Sequence, residues 1–206
     1  MTLTKDPHQA ELRAVGWHSR GYLPHYDGGE IPQFITLHLA DSVPRTVIET
    51  WKRELDTKNS VQDKMLLQAR IEKYADQGYG EVFLKDRRVA EMVQRTLLND
   101  DGKKYRLSAW VVMPNHVHLL ATRFIICALA EIMQSFKSIT SHKANRTLGR
   151  SGQFWMPDYF DRYIRNATHF KKVVEYIEDN PVKAGLCLSP SDWPYSSAWF
   201  RARSTK

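Results

Sequence analysis

Residues 111–120 have the sequence VVMPNHVHLL, an apolar and β-prone segment that holds His116 and His118 one residue apart. Successive side chains of a β-strand point to opposite faces, so both imidazoles are expected on one face of a sheet. Neutral imidazole nitrogens bind divalent metal ions, and two of them on a rigid strand leave positions for other ligands. The segment therefore predicts a strand that carries half of a metal site.

A tyrosine and an asparagine follow about sixty residues later. Residues 167–179 have apolar side chains at helical spacing, and Tyr176 and Asn180 would lie one turn apart on one face of that helix. An activated phenol is a nucleophile, and an amide oxygen can bind a metal ion. With the histidines, these residues form a set suited to cutting a phosphodiester bond. Taken singly, the tyrosine could equally be a packing residue, and the asparagine before Pro181 could simply end the helix.

The remaining pattern predicts the fold class. Strand patterns cover 33–40, 105–113 and 117–122, with an aromatic extended segment at 155–164. Helical spacing begins at Pro44, covers 65–74, runs from Asp86 to about residue 99 and covers 126–144. Along the chain, strand and helix patterns alternate irregularly, without the regular βαβ repeats of a parallel sheet. This order predicts an α+β fold in which helices pack on an antiparallel sheet.

The length of 206 residues fits one domain with a substantial core. We therefore expect a single domain over 1–206, with an irregular N-terminal arm to about residue 32 and a core over about 33–197. An extra helical stretch over about 44–80 has no role that the pattern assigns.

The balance of charge fits a polyanionic partner, although ordinary proteins also show it. Lys and Arg number 30 against 23 acidic residues, which gives a formal charge of +7 and a pI near 9.4. The two cysteines, Cys127 and Cys187, have no metal-ligand spacing and give no disulfide framework, so a cytoplasmic location is expected. The sequence shows neither a secretory signal nor an apolar run of membrane length, and no membrane partner is expected.

Six short motifs carry a family resemblance. They are MPNHVHL at 113–119, QSFKS at 134–138, FW at 154–155, YI at 176–177, NPVKAGL at 180–186 and WPYSS at 193–197. Together they closely resemble the single-tyrosine HUH transposases, and in particular the REP-associated tyrosine transposases, over about residues 33–197. The resemblance implies a ferredoxin-like α+β domain of the HUH endonuclease type, working in the bacterial cytoplasm with the nucleoid.

The same resemblance implies roles for four residues. His116, His118 and Asn180 match the family's ligands to Mg²⁺ or Mn²⁺, and Tyr176 matches the nucleophile that forms a 5′-phosphotyrosine and frees a 3′-hydroxyl. The implied partner is single-stranded DNA with a hairpin, either REP-like or from the end of an insertion sequence. Cleavage would need no ATP, and the REP-associated subgroup implies a monomer rather than a dimer.

Further DNA contacts are predicted from charge and aromaticity. Lys137, Lys183 and Arg165 are candidate phosphate contacts, with a solvated surface position as the alternative for each. Six aromatic residues are candidates for stacking on extruded bases, with burial in the core as the alternative: Trp17, Tyr22, Trp155, Tyr159, Phe160 and Tyr163.

Two other functions are consistent with these residues. A domesticated transposase could bind a DNA hairpin without cutting it, but the intact set of two histidines, tyrosine and asparagine argues against that. A zinc hydrolase could use the two histidines with a third ligand, but no acidic residue lies at a recognisable ligand spacing from them. Covalency separates the possibilities, because only a tyrosine nucleophile leaves protein linked to DNA.

Overall fold

The structure is a computed structural model that describes residues 16–19, 24–55 and 60–204. Its strands are β1 Gly16–Ser19, β2 Pro24–Asp27, β3 Pro32–His38, β4 Tyr105–Val112, β5 His116–Arg123 and β6 Phe160–Tyr163. Its α-helices are α1 Arg45–Glu54, α2 Val61–Ala75, α3 Arg87–Asp100, α4 Leu129–Leu148, α5 Ala167–Lys183 and α6 Ser197–Ser204. Short 3₁₀ helices cover Phe83–Lys85 and Pro190–Asp192. None of these helices is both long enough and apolar enough to cross a membrane.

Strands β3 to β6 form an antiparallel sheet in the order β4-β5-β3-β6. With α3 and α4, these strands follow the β-α-β-β-α-β order of a ferredoxin-like fold. The predicted α+β class is confirmed. Helices α1 and α2 form an additional pair between β3 and α3, within the predicted extra stretch 44–80.

Alternation along the central strands divides the core between the two faces of the sheet. Ile35 of β3 and Leu119 of β5 pack with residues of α3 and α4 on one face. Phe34 and Leu120, one position away on the same strands, pack with residues of α5 on the other. The period of two predicted for β3 is confirmed. His116, His118 and Leu120 follow one another at intervals of two residues on β5, so they lie on the same face. The histidine pair therefore lies between the sheet and α5.

A β-bulge in β4 changes which residues face each core. The register with β5 shifts between Leu107 and Ala109. Tyr105 before the shift, and Trp110 and Val112 after it, consequently pack into the same α3–α4 core although their numbers differ in parity. The bulge shifts the phase of the alternation within the strand, while the apolar run after it reflects burial on both faces, with Ala109 and Val111 on the α5 side.

The additional helices α1 and α2 have a small core of their own. Ile48 of α1 packs with Leu67 and Ile71 of α2, and this cluster also contains Phe160 of β6. The pair is therefore held to the sheet near its β6 edge. Asp76, directly after the last residue of α2, reaches the histidines of β5.

The described part of the N-terminal arm contains a hairpin, so the prediction of an irregular arm is wrong there. Strands β1 and β2 pair antiparallel, whereas residues 1–15 and 20–23 lie outside the described residues. His25 of β2 lies between two acidic residues, with Nδ1 2.5 Å from Oδ1 of Asp161 and Nε2 2.8 Å from Oδ1 of Asp158. The prediction failed because the glycines and prolines of this segment border the strands rather than interrupt them.

Helix α5 continues past the end that Pro181 predicted. Pro181 lies in the last turn, and the helix reaches Lys183. A proline so near the end removes one helical N–H donor, while its own carbonyl still accepts from the N–H of Leu186 at 2.9 Å. Asn180 therefore lies within the helix and does not end it.

Candidate active site and metal centre

Strand β5 carries the two predicted histidines into the layer beneath α5. His116 and His118 are 2 % and 0 % exposed, and their ring centroids are 4.4 Å apart. Nδ1 of His116 lies 2.8 Å from Oδ1 of Asn115, and Nδ1 of His118 lies 2.9 Å from Oγ1 of Thr36. Among the described residues neither Nε2 atom has a hydrogen-bond partner. The pair thus offers two buried, unpaired nitrogens.

Asn115 fixes the protonation state of His116. The Nδ2 group of Asn115 donates to the carbonyls of Ala75 at 2.9 Å and Tyr79 at 3.2 Å, so its Oδ1 faces the imidazole and can only accept. Nδ1 of His116 must therefore carry the proton, which leaves the lone pair on Nε2. Burial and the neighbouring histidines lower the pKa of His116 well below its usual value. The ring is neutral, the form that binds a metal ion.

An acidic residue that the sequence analysis missed lies beside these nitrogens. Oδ1 of Asp76 is 3.7 Å from Nε2 of His116 and 3.8 Å from Nε2 of His118. One ligand atom from each of the three residues lies within 4.8 Å of the others, so the cluster could hold a metal ion. No local spacing could have found Asp76, because a 3₁₀ helix, α3 and β4 separate it from the histidines along the chain.

Helix α5 brings Tyr176 to the same cluster. Its hydroxyl donates to Oδ2 of Asp76 at 2.9 Å, and its ring centroid lies 5.4 Å from that of His118. Burial and the carboxylate of Asp76 raise the pKa of the Tyr176 hydroxyl, so the phenol stays protonated. Burial alone would raise the pKa of Asp76, but interactions with His118 and Tyr176 outweigh it and hold that pKa below its usual value. The site therefore contains a neutral phenol beside an ionised carboxylate.

Asn180 lies one turn beyond Tyr176 and is 7 % exposed. Its side chain opposes the effect of burial at two neighbours, since it raises the pKa of His116 and lowers that of Tyr176. The structure thus brings together the four residues singled out from the sequence, as the family resemblance implied. A ligand role for Asn180 stays a prediction.

His38 is a third buried histidine at this site, and the sequence analysis did not assign it a role. It lies opposite His116 in the register of β3 and β5, with ring centroids 5.7 Å apart. Neither of its ring nitrogens has a hydrogen-bond partner within the described ranges. Burial and the nearby His118 lower the pKa of His38 to about 3. His38 is two residues after Thr36 on β3, so both side chains lie on the same face of the sheet. This spacing is the signal that could have placed His38 at the site.

A groove of about 430 Å³ gives access to Tyr176 between α2 and α5. Its lining includes Phe34, Lys73, Arg162 and His169. The volume is in the range of small-ligand sites. The acidic side chains of Glu72 and Asp76 also line it, so cationic, acidic and aromatic groups meet beside Tyr176.

The three predicted phosphate contacts lie in different surroundings. Nζ of Lys183 is 5.4 Å from the centroid of the Tyr176 ring, and Arg165 is exposed just before α5. Lys137 lies on α4, on the face of the sheet away from the histidines, and its Nζ donates to the carbonyl of Pro157 at 2.8 Å. Burial lowers the pKa of Lys137 to about 8. Lys183 contacts the site directly, and DNA contact stays a prediction for all three.

Trp155 and Tyr159, two of the aromatic candidates for base stacking, are buried, whereas the side chains of Trp17 and Tyr22 lie outside the described residues. Trp155 is 3 % exposed and donates its indole N–H to Oγ1 of Thr140 at 2.8 Å, and Tyr159 is 8 % exposed. Both belong to the α3–α4 core. Core packing, the alternative for these residues, is therefore what the structure shows.

Comparison with known proteins agrees with this architecture. Residues 82–180 match a family described as transposase IS200 like. A REP-associated tyrosine transposase from Escherichia coli strain K12 is 32% identical over 97 residues, which cover 46% of this chain and 55% of that protein. A Haemophilus influenzae protein of the same kind is 29% identical over 96 residues, which cover 42% of this chain and 54% of that protein.

A solved structure, described as a REP-associated tyrosine transposase bound to a REP hairpin, has the same fold. It superposes with a TM-score of 0.54 at 20% identity, over 84% of this chain and 79% of that one. The chain spans about half the length of the curated relatives that it matches.

The chain therefore shares the fold of that solved structure, and on this antiparallel α+β fold a histidine pair faces a helix that carries a tyrosine. The predicted resemblance to the single-tyrosine transposases, and to their REP-associated subgroup, is confirmed.

Proposed function

We propose that this chain is a metal-dependent tyrosine transposase that cleaves and rejoins single-stranded DNA next to a hairpin through a 5′-phosphotyrosine. One observation carries the proposal: the hydroxyl of Tyr176 lies in the same cluster as the two unpaired Nε2 atoms of His116 and His118. The hairpin bound by the structural neighbour, and the names of the curated relatives, support this partner. The expected setting is the bacterial cytoplasm with the nucleoid, and the expected active form is a monomer.

The ligands proposed for the divalent ion are Nε2 of His116, Nε2 of His118 and the amide oxygen of Asn180. Both imidazoles are held through Nδ1, by Asn115 and Thr36, so their Nε2 atoms point in fixed directions. A bound Mg²⁺ or Mn²⁺ would polarise a non-bridging phosphate oxygen and offset the charge that builds up during displacement. Imidazole ligands favour Mn²⁺, whereas Mg²⁺ prefers oxygen.

In the cleavage step, the phenol oxygen of Tyr176 forms a bond to phosphorus. The bond from phosphorus to the 3′ oxygen of the preceding nucleotide breaks, the phenol loses its proton, and the released 3′ oxygen takes up a proton to become a hydroxyl. Rejoining reverses these changes, because a 3′-hydroxyl attacks the phosphotyrosine and restores the phenol. One phosphoester replaces another at each step, so no ATP is needed.

The decisive experiment uses a labelled single strand that carries a hairpin, incubated with the protein and Mn²⁺ and analysed on a denaturing protein gel. Wild type should retain label after heat and detergent. Tyr176→Phe should fold and bind the strand but retain none, because it lacks the attacking oxygen. Tyr163→Phe, on neighbouring β6, is the matched control and should behave as wild type. A labelled Tyr176→Phe would assign the nucleophile to another residue, and a wild type that binds without cutting would favour a non-catalytic hairpin-binding protein.

The histidines are tested by separating cleavage from binding. His116→Ala and His118→Ala should abolish cleavage while leaving DNA affinity nearly unchanged, because affinity comes mostly from phosphate contacts on the basic surface. Gel shift and cleavage assays on the same strand measure the two effects. Equal loss of both activities would mean that the pair is structural, and undiminished cutting in excess chelator would refute metal dependence.

A further inference from the structure

We propose that Asp76 links the metal ion to the nucleophile: one carboxylate oxygen binds the ion together with His116 and His118, and the other positions the hydroxyl of Tyr176. This inference rests on the proposed function and adds a residue to it. Asp76 follows α2 and lies outside the 82–180 segment that matches the transposase family. The additional helix pair, to which the sequence pattern assigned no role, would therefore contribute to the active site.

The two oxygens of Asp76 already face different partners. Oδ1 is 3.7 and 3.8 Å from the Nε2 atoms of His116 and His118, whereas Oδ2 accepts the hydroxyl of Tyr176 at 2.9 Å. Bonds of about 2.1 Å at angles of roughly 90 to 120° place two ligand atoms about 3.0 to 3.6 Å apart. The observed 3.7 and 3.8 Å exceed the upper end of this range by only about one to two tenths of an ångström.

The surroundings of Oδ1 themselves point to a cation. The two Nε2 atoms belong to side chains that are at least nine-tenths buried, and no hydrogen-bond donor or acceptor satisfies them in the described ranges. An unpaired buried polar atom is costly, and a bound ion removes that cost. Two imidazoles and one carboxylate form a mixed donor set that suits ions such as Mn²⁺ better than Mg²⁺.

The position of Asp76 relative to the histidines is fixed by main-chain contacts. Its N–H donates to the carbonyl of Glu72 at 2.9 Å at the end of α2. The preceding carbonyl, that of Ala75, accepts from the side chain of Asn115, whose Oδ1 binds the His116 ring. Asn115 thus holds the end of α2 and the first histidine together. A carboxylate that both binds a metal ion and positions the Tyr176 hydroxyl needs such rigid support.

The first test measures the metal directly, without DNA. Mn²⁺ is titrated into the full chain, and the free ion is followed by electron paramagnetic resonance. Asp76→Asn should weaken Mn²⁺ binding by about tenfold or more. Glu175→Gln removes the same charge from the exposed side of α5, where Glu175 lies 4.0 Å from Lys171, and should bind as wild type. Equal affinity of Asp76→Asn and wild type would overturn the proposal.

The second test examines the position of the tyrosine. Asp76→Ala removes both oxygens, and at Mn²⁺ concentrations that saturate it, the covalent adduct should form about tenfold to a hundredfold more slowly than in wild type. A wild-type rate at saturation would overturn the positioning role. Melting temperatures near that of wild type show that the variants fold. If wild type binds Mn²⁺ and forms the adduct while the Asp76 variants match it, this inference fails alone. A wild type that does neither refutes the proposed function itself.

Discussion

We expect the free energy of unfolding to decrease from about pH 6.5 to pH 9 because of His25, which holds the N-terminal hairpin against the sheet. The side chain is 2 % exposed and lies between Asp161 and Asp158, at 2.5 and 2.8 Å. Burial alone would lower the pKa of His25, but the hydrogen bonds and charges of Asp158 and Asp161 outweigh it and raise the pKa to about 9. The folded protein therefore keeps this imidazole protonated at neutral pH.

The sign of the effect follows from this shift. Because the folded-state pKa of His25 is above the ordinary value of 6.5, its contribution to stability is complete below pH 6.5 and is lost as the pH rises through about 9. A difference of that size corresponds to about 3 kcal/mol. Solvent screens the interaction between His25 and Asp161 little, because both side chains are buried.

Urea unfolding at pH 6, 7.5 and 9.5, followed by circular dichroism, measures this contribution. Lys137 acts with the opposite sign at the upper end of this range, because burial lowers its pKa to about 8. The contribution of His25 is therefore the difference in stability between wild type and His25→Gln, which should be largest at pH 6 and fall by up to about 3 kcal/mol across the series. His142→Gln, an exposed position on α4, removes a histidine without touching the hairpin and should behave as wild type. An identical pH dependence in wild type and His25→Gln would refute the reasoning.

Three further predictions concern stability and are measured by thermal or urea unfolding. Gly80→Ala should destabilise the protein by more than about 1 kcal/mol, because Gly80 has a φ of +84° and an added Cβ would lie 2.6 Å from the carbonyl oxygen of Asp41; an unchanged melting temperature would contradict this. Tyr105→Phe should cost about 1–2 kcal/mol, because the buried hydroxyl donates to the carbonyl of Leu97 at 2.7 Å, and an unchanged urea midpoint would disprove it. Leu119→Ala should cost about 2–5 kcal/mol, because the side chain is 0 % exposed in the main core; a loss below 1 kcal/mol would show that the core can collapse around the cavity.

Periodicity predicted the parts of the fold in which one rule acts over several residues. The alternation in β3 and the spacing of His116 and His118 depend only on the pleat of a strand, and the structure confirms both. The alternation in strand β4 changes phase, because its bulge between Leu107 and Ala109 exchanges the faces within one strand. A single inserted residue has no distinctive composition, so the sequence could not reveal it.

In the candidate site too, local spacing was predictable from the sequence and contacts between distant segments were not. Tyr176 and Asn180 lie on one helix, and their separation of one turn was visible in the sequence. Asp76 reaches Tyr176 across 100 residues of chain, and only the packing of α1 and α2 brings the two together. Lys137 was predicted as a DNA contact from its charge. Charge alone does not reveal that its ammonium group donates to a main-chain carbonyl. Long-range packing is what the sequence pattern leaves undetermined.

The separate core of α1 and α2 has a consequence for hydrogen exchange. Because Ile48, Leu67 and Ile71 pack in a cluster distinct from the one that holds the sheet to α3 and α4, we expect the pair to open as a unit while most of the sheet stays folded. Amides of α2 would then exchange with solvent earlier than those of β5. Each such opening would move Asp76 away from the histidines. A metal ion bound to both Asp76 and β5 would therefore stabilise the closed state. Hydrogen exchange throughout α2 would slow by the factor by which the ion increases the ratio of closed to open molecules.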